Sequence, residues 1–199
     1  MAIDRQGRGH RLLVAAALIL STPAALAAPP VVAPEVEREV IAPEGVTFAP
    51  IPTDEEGAID RFAAYTMALA KRDYASAYAM LRLSFQASNP RLEWEMNQRK
   101  RAGLWADGTI RILRLSWYLD PAGQPPGLYA AFDFRGDRAD KTMDCGYVVV
   151  HRATPVAGWT VVRTDTSEVP AHLIEDGVPK ADVLRELPCS LGKGIATNF

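Results

Sequence analysis

Hydrophobic and polar positions recur with two different periods along the chain, helical in its first half and strand-like in its second. Six apolar or small positions repeat at helical spacing: Ile59, Phe62, Ala63, Thr66, Leu69 and Ala70. Such a stripe is typical of a helix that buries one side. Thr53 and Glu56 have the spacing of a capping box, so we expect the globular part to begin at Thr53 with this helix following.

Two further helices are predicted from their start signals. Arg72 and Asp73 break the first stripe, and Asp73 is a good N-cap for a second, shorter helix that runs through Leu81. Asn89 followed by Pro90 predicts the start of a third helix, because proline is favoured at the first helical position. Gly103 predicts the end of that helix.

Beyond Gly108 the period becomes alternating, and four strands are predicted, at about residues 109–118, 128–135, 143–151 and 159–164. The alternation shifts by one near Ile112, which predicts a β-bulge there. Gly146 predicts a kink or bulge in the third of these strands. Three helices followed by an antiparallel meander indicate an α+β domain over residues 54–166, with three N-terminal helices packed on a curved four-stranded antiparallel sheet.

The first 28 residues have the order of a cleavable signal peptide. Three arginines precede the apolar run of residues 12–20, and Ala25-Leu26-Ala27 supplies the small residues of a cleavage site. The apolar run is about half the length that a membrane span requires, and no cysteine follows it to carry a lipid. We therefore expect cleavage after Ala27 or Ala28, a periplasmic mature protein and no stable membrane anchor.

The segments on either side of the predicted domain differ from it in composition. Residues 29–53 contain six prolines among Val, Glu and Ala, which favours an extended tether over a packed core. Residues 167–199 form a C-terminal tail with a short predicted helix at residues 180–187.

Charge and motifs exclude several classes of function. Residues 1–27 hold three arginines and one aspartate, a net +2, so the whole-chain charge of -2 becomes -4 after cleavage. This acidic balance argues against nucleic acid as a partner, since Arg99-Lys100-Arg101 is the only basic run. The chain has no phosphate loop, zinc motif, nucleophile elbow or dinucleotide fingerprint, so we expect no cofactor. His151 and His172 are not at ligand spacing from each other or from a cysteine, so we expect no metal site.

The only cysteines are Cys145 and Cys189. An exported chain enters an oxidising compartment, where a disulfide between them is favoured. Closing a loop of this length would stabilise the fold by about 4 kcal/mol in the chain-entropy model. The alternative is that both are unpaired and buried.

Local stretches over about residues 57–165 resemble the bacterial family labelled domain of unknown function 4019. The matching residues are Lys71-Arg72-Asp73-Tyr74-Ala75, Phe85, Trp94, Arg101, Gly103, Arg111, Gly127-Leu128-Tyr129, Phe134 and Gly158-Trp159. The chain departs from the family pattern at residues 144–147 and beyond Ser167. The resemblance implies a small exported protein with a cone-shaped fold of the nuclear transport factor, ketosteroid isomerase or cystatin-like type, and it carries over no catalytic residues.

A cone fold has a cavity between its helices and the concave face of its sheet, and ligands bind in such cavities. The polar residues that we expect to reach it are Arg111, Tyr129, Asp133 and Arg163. The alternative is that this side of the sheet is solvated and that Asp133 forms a surface ion pair with Arg135 or Arg163. We expect His151, at a strand end, to be an exposed edge residue.

Two functions follow. The first is a non-catalytic module of the bacterial envelope that binds an unknown small molecule or envelope protein, with a homodimer through the sheet as a further expectation. The second is a cofactor-free isomerase or lyase of the ketosteroid isomerase type. Asp133 would be its general base, and Tyr129 would donate a hydrogen bond to the developing oxyanion.

Overall fold

The computed structural model describes residues 31–100, 109–137 and 143–169. The predicted signal peptide, the Gly103 helix end, the tail helix and Cys189 lie outside these residues. Four helices and five strands are present in the described part, in the order β1 (Val31–Ile41), α1 (Pro52–Ala70), α2 (Tyr74–Ala79), α3 (Leu83–Ser88), α4 (Arg91–Lys100), β2 (Thr109–Leu119), β3 (Leu128–Asp137), β4 (Met143–Arg152) and β5 (Thr160–Val169). No described helix is both long enough and apolar enough to cross a membrane.

The five strands form one mixed sheet in the order β1-β2-β3-β4-β5. The α+β class and the antiparallel meander β2 to β5 are as predicted. The predicted all-antiparallel, four-stranded sheet is wrong, because β1 adds to the edge of β2 in parallel. The four helices lie in the chain between β1 and β2 and supply the long crossover that a parallel pair requires.

Strand β1 lies within the segment that we expected to be a proline-rich tether. Its pairing with β2 shifts register between Val32 and Glu37, the stretch that contains Pro34. Proline has no N–H to donate to a ladder, so an interrupted edge strand is where it can be accommodated. Val36 is buried in the core, and Arg38 is paired with Glu55 of α1. Residues 31–41 are therefore part of the folded domain.

The helix starts are partly as predicted. Asp73 caps α2 by accepting a hydrogen bond from the Ser76 N–H at 3.1 Å. Helix α1 begins at Pro52, one residue before the predicted cap, and Asp54 accepts from the N–H of Ile51. The unpredicted helix α3 changes the role of Asn89. Its amide nitrogen donates to the carbonyl of Phe85, and Asn89 is the C-cap residue of α3, while the next helix begins at Arg91.

The helices pack on one side of the sheet, here called the inner face. This face consists of Ile110, Ile112, Leu115, Trp117, Leu128, Ala130, Phe132, Phe134, Val148, Val150 and Val161. Phe62 of α1 stacks on Phe132 with ring centroids 4.8 Å apart. Trp117 meets the edge of Trp159 at 6.1 Å, and Trp94 of α4 packs on Tyr78 of α2 at 5.4 Å. The Phe62–Phe132 stack therefore joins α1 to the sheet, and the other two contacts lie within one layer each.

The predicted bulge in β2 is confirmed. The β2–β3 register shifts between Ile112 and Arg114, which leaves Leu113 as the extra residue, 37% exposed. Because of it, Ile112 and Leu115 both reach the inner face. The kink or bulge predicted at Gly146 is wrong, since pairing with both neighbouring strands continues through it. Glycine is required there because a Cβ would overlap the carbonyl oxygen of Asp165.

Candidate functional site

The predicted polar residues of β3 to β5 lie on the side of the sheet opposite the helices, here called the outer face. The register places Asp133 between Arg114 and Tyr147 in one row across the strands. Tyr129 lies two pleats away, beside His151. Tyr129 and Asp133 thus share a face, as predicted. They do not face a cavity between the helices and the sheet, because the helices cover the inner face.

Asp133 is held by Arg114, a residue that sequence reasoning did not single out. The Arg114 Nε and Nη2 atoms donate to the same carboxylate oxygen, at 2.8 and 2.6 Å. Both side chains are largely buried, with exposed fractions of 12% for Arg114 and 5% for Asp133. The expectation of a surface ion pair is therefore wrong in its exposure, since Asp133 is buried and pairs with Arg114. Asp133 is therefore half of a buried, charge-assisted ion pair.

The hydroxyl of Tyr129, near the start of β3, is also hydrogen-bonded within the protein. The hydroxyl donates to the carbonyl of Pro125 at 2.7 Å. Burial raises the pKa of Tyr129. Tyr129 and Asp133 are four residues apart on one strand, which separates their Cα atoms by about 13 Å. The two groups proposed for an isomerase do not converge on one reacting atom.

His151 is buried, so its predicted place at an exposed edge is wrong. Its ring packs on the ring of Tyr129 with centroids 4.3 Å apart, and its Nε2 lies 3.1 Å from the carbonyl oxygen of Pro126. That acceptor selects the tautomer with a proton on Nε2. Burial lowers the pKa of His151, and the positive charge of Arg82 acts in the same direction.

The remaining predicted residues lie at separate places. The guanidinium of Arg163 stacks over the ring of Tyr147, 5.5 Å from its centroid, in cation–π geometry. Arg111 is exposed and lies opposite Arg135 on β3. Cys145 is completely buried in β4. Because Cys189 lies outside the described residues, the disulfide stays a prediction.

A pocket that sequence reasoning missed lies at the end of the sheet where α1 begins, and we call it the mouth pocket. Its volume is about 320 Å³, and it is lined by Phe48, Asp54, Leu119, Asp120, Pro126, Gly127, Leu128, Arg152, Ala153, Thr154 and Pro155. Arg152 pairs with Asp54 through Nη2, and both side chains are mostly buried. The Arg152 guanidinium also lies 5.0 Å from the ring centroid of Trp159. Asp54 and Arg152 are 98 residues apart, so no local motif could have predicted this pair.

A larger depression of about 560 Å³ lies beside the first turns of α1. Its lining includes Glu55, Glu56 and Asp60, which are exposed or half-buried. We favour the mouth pocket as a binding site, since a largely apolar lining with a few placed polar groups is typical of ligand pockets.

Metal ligands do not converge in the described ranges, where no group of three or more His, Cys, Asp or Glu side chains could hold an ion. No protein-family model, no curated protein and no solved structure matches the chain.

Proposed function

We propose that the protein is an exported, non-catalytic binding module of the bacterial envelope that holds a small ligand in the mouth pocket. We also propose that the chain belongs to the family labelled domain of unknown function 4019, which it resembles, and that it has that family's cone-shaped fold. The observation that carries it is the buried Arg152–Asp54 pair in the wall of an otherwise largely apolar pocket.

The pocket chemistry indicates a class of ligand. Phe48, Leu119 and Leu128 provide apolar surface for the body of the molecule. Nη2 of Arg152 is hydrogen-bonded to Asp54, and within residues 31–100, 109–137 and 143–169 the other hydrogen bond of Arg152 is a long one, from Nη1 to the Pro155 carbonyl at 3.5 Å. Its remaining N–H groups have no hydrogen-bond partner among the residues that the structure describes. Because Asp54 cancels its charge, we expect the ligand to present an uncharged acceptor, such as a carbonyl group.

The chain's N-terminus supports the envelope location. The arginines, the apolar run and Ala25-Leu26-Ala27 have the order of a signal peptide. Strand β1 begins at Val31, which leaves two or three residues between the proposed cleavage site and the strand. Cleavage there would leave the folded domain intact. N-terminal sequencing of the protein recovered from a periplasmic fraction tests this step, and an intact Met1 would contradict it.

The binding function is tested on the mature protein purified from the periplasm. Small molecules released on denaturation are identified by mass spectrometry and then titrated back onto the protein. Ala153→Trp fills the pocket from an exposed lining position, and Val156→Trp is the matched control, because Val156 is 97% exposed and outside the lining. We expect Ala153→Trp to weaken binding at least tenfold and Val156→Trp to leave it unchanged. Equal binding by both variants, or no retained small molecule, would overturn the proposal.

The positions of Asp133 and Tyr129 do not support the isomerase alternative. Asp133 is bound by Arg114, and the Tyr129 hydroxyl is bound to Pro125. Neither group is free to act on a substrate placed between them.

A further inference from the structure

The outer face of the sheet is buried although the described helices all lie on the other side. Its apolar cluster consists of Tyr118, Tyr129, Ala131, Tyr147 and Val149, each no more than 4% exposed. Within the described residues, only Ile41 and Val162 are further hydrophobic side chains packed on this cluster. Side chains project from a sheet toward its neighbouring layer, so a single sheet cannot bury its own face. A second layer has to cover this side.

We infer that the outer face is the docking site for the chain's own C-terminal segment, residues 170–199, fastened by a Cys145–Cys189 disulfide. This inference is independent of the mouth pocket. It differs from the expected homodimer, in which a second copy would cover the same face.

The position of the last described strand favours this occupant. Strand β5 ends at Val169, which pairs with Met143 at the start of β4. Cys145 lies two residues further along β4. It is on the outer face, because every second residue of a strand faces the same side and Tyr147 and Val149 lie on that face. The segment thus leaves the sheet beside the buried cysteine. Crossing five strands takes roughly 20 Å, which a segment of 30 residues can span several times over.

The chemistry of the segment complements the face. Arg111 and Arg135 lie directly opposite each other on β2 and β3, and Arg163 adds a third guanidinium. The segment supplies four carboxylates and a set of apolar residues: Glu175, Asp176, Asp182 and Glu186, with Leu173, Ile174, Val178, Val183, Leu184 and Leu187. Its apolar residues suit the tyrosine cluster, and its carboxylates suit the arginines.

The first test needs no variant. The oxidised full mature chain is digested with trypsin, and cleavage after Lys180 and Arg185 is compared with cleavage of a synthetic peptide of residues 170–199. We expect cleavage in the chain to be at least tenfold slower, and a non-reducing peptide map to contain Cys145 joined to Cys189. Equal cleavage rates, or two free thiols in a denatured, unreduced sample, would overturn the inference.

A second test locates the docking surface with two variants of the full chain in which both cysteines are replaced by serine. Tyr147→Ala removes part of the cluster, and Leu113→Ala is the control, because Leu113 is on the exposed bulge of the same sheet. Circular dichroism checks that both fold. We expect Tyr147→Ala to accelerate cleavage after Lys180 several-fold and Leu113→Ala to leave it unchanged. Equal rates in the two variants would contradict the assigned surface.

A third measurement separates the segment from a second copy. Isotopically labelled and unlabelled chains are mixed and cross-linked with carbodiimide. We expect links between residues 170–199 and the sheet only within one chain, together with a monomeric sedimentation coefficient. Links between labelled and unlabelled chains would assign the face to a dimer and overturn the inference.

Discussion

Replacing Asp133 with alanine tests whether the outer-face ion pair is structural. The change leaves the Arg114 guanidinium, 12% exposed, without the carboxylate that holds it at 2.6 and 2.8 Å. Removing one partner of a buried pair costs about 3–5 kcal/mol, since the remaining charge stays desolvated. Domains of this size have total stabilities of about 5–15 kcal/mol, so the loss would be a large fraction.

The chain offers a matched surface pair as a control. Arg38 and Glu55 are joined at 2.9 Å, but their side chains are 46% and 30% exposed. Glu55→Ala should cost about 1 kcal/mol or less, because solvent screens an exposed pair. Urea unfolding at pH 7.5, followed by tryptophan fluorescence, gives the free energy of unfolding for each variant. If Asp133→Ala and Glu55→Ala cost the same, the assigned structural role of the Arg114–Asp133 pair is wrong.

A double replacement separates loss of the pair from loss of packing. Changing Asp133 to Leu and Arg114 to Met together removes both charges and keeps apolar volume. We expect this double variant to recover most of the stability that Asp133→Ala loses, because no charge is left buried and unpaired. A double variant as unstable as Asp133→Ala would show that the damage comes from packing and not from the unpaired charge.

Three further predictions concern a turn, a histidine and the core. Gly127→Ala should cost about 3 kcal/mol in the free energy of unfolding, because φ is +135° and a Cβ would overlap the Arg152 carbonyl. Gly123→Ala, at φ +76° in open space, should cost about 1–2 kcal/mol, and equal losses would contradict the overlap argument. Since burial lowers the pKa of His151 below its ordinary 6.5, the unfolded chain binds more protons there, and stability should fall as pH drops through about 6.5. His151→Gln should flatten that dependence in urea unfolding at pH 7.5 and 5.5, and an unchanged slope in His151→Gln would refute this. Phe62→Ala should cost about 3–5 kcal/mol in the same assay, because the ring is fully buried against Phe132, and a loss under 1 kcal/mol would show that the site is not close-packed.

The elements predicted correctly are those whose signal is local. Strands β2 to β5 were predicted because apolar and polar residues alternate along them. Asp73 was predicted as a helix cap because a cap acts within three residues. Strand β1 was missed because prolines mark its segment as irregular, whereas its pairing partners are 77–80 residues away in the chain. Helix α3 was missed because it is only one and a half turns long and Leu83, at its start, is 80% exposed. Such a helix has no apolar stripe to detect.

The site was predicted less well because its partners depend on register. Reading back from the Ile112–Phe134 pair without a bulge would place Leu113 opposite Asp133. With Leu113 as the extra residue, Arg114 takes that position and its guanidinium binds the carboxylate. The hydrophobic pattern of β2 predicts the bulge, but the pattern alone does not predict that the bulge pairs Arg114 with Asp133 on β3. One extra residue in β2 therefore keeps Ile112 and Leu115 both in the core and converts the predicted general base into half of a buried ion pair. With Asp133 engaged in that pair, the mouth pocket is the better candidate for a ligand site, because Arg152 in its wall has N–H groups with no hydrogen-bond partner among the described residues.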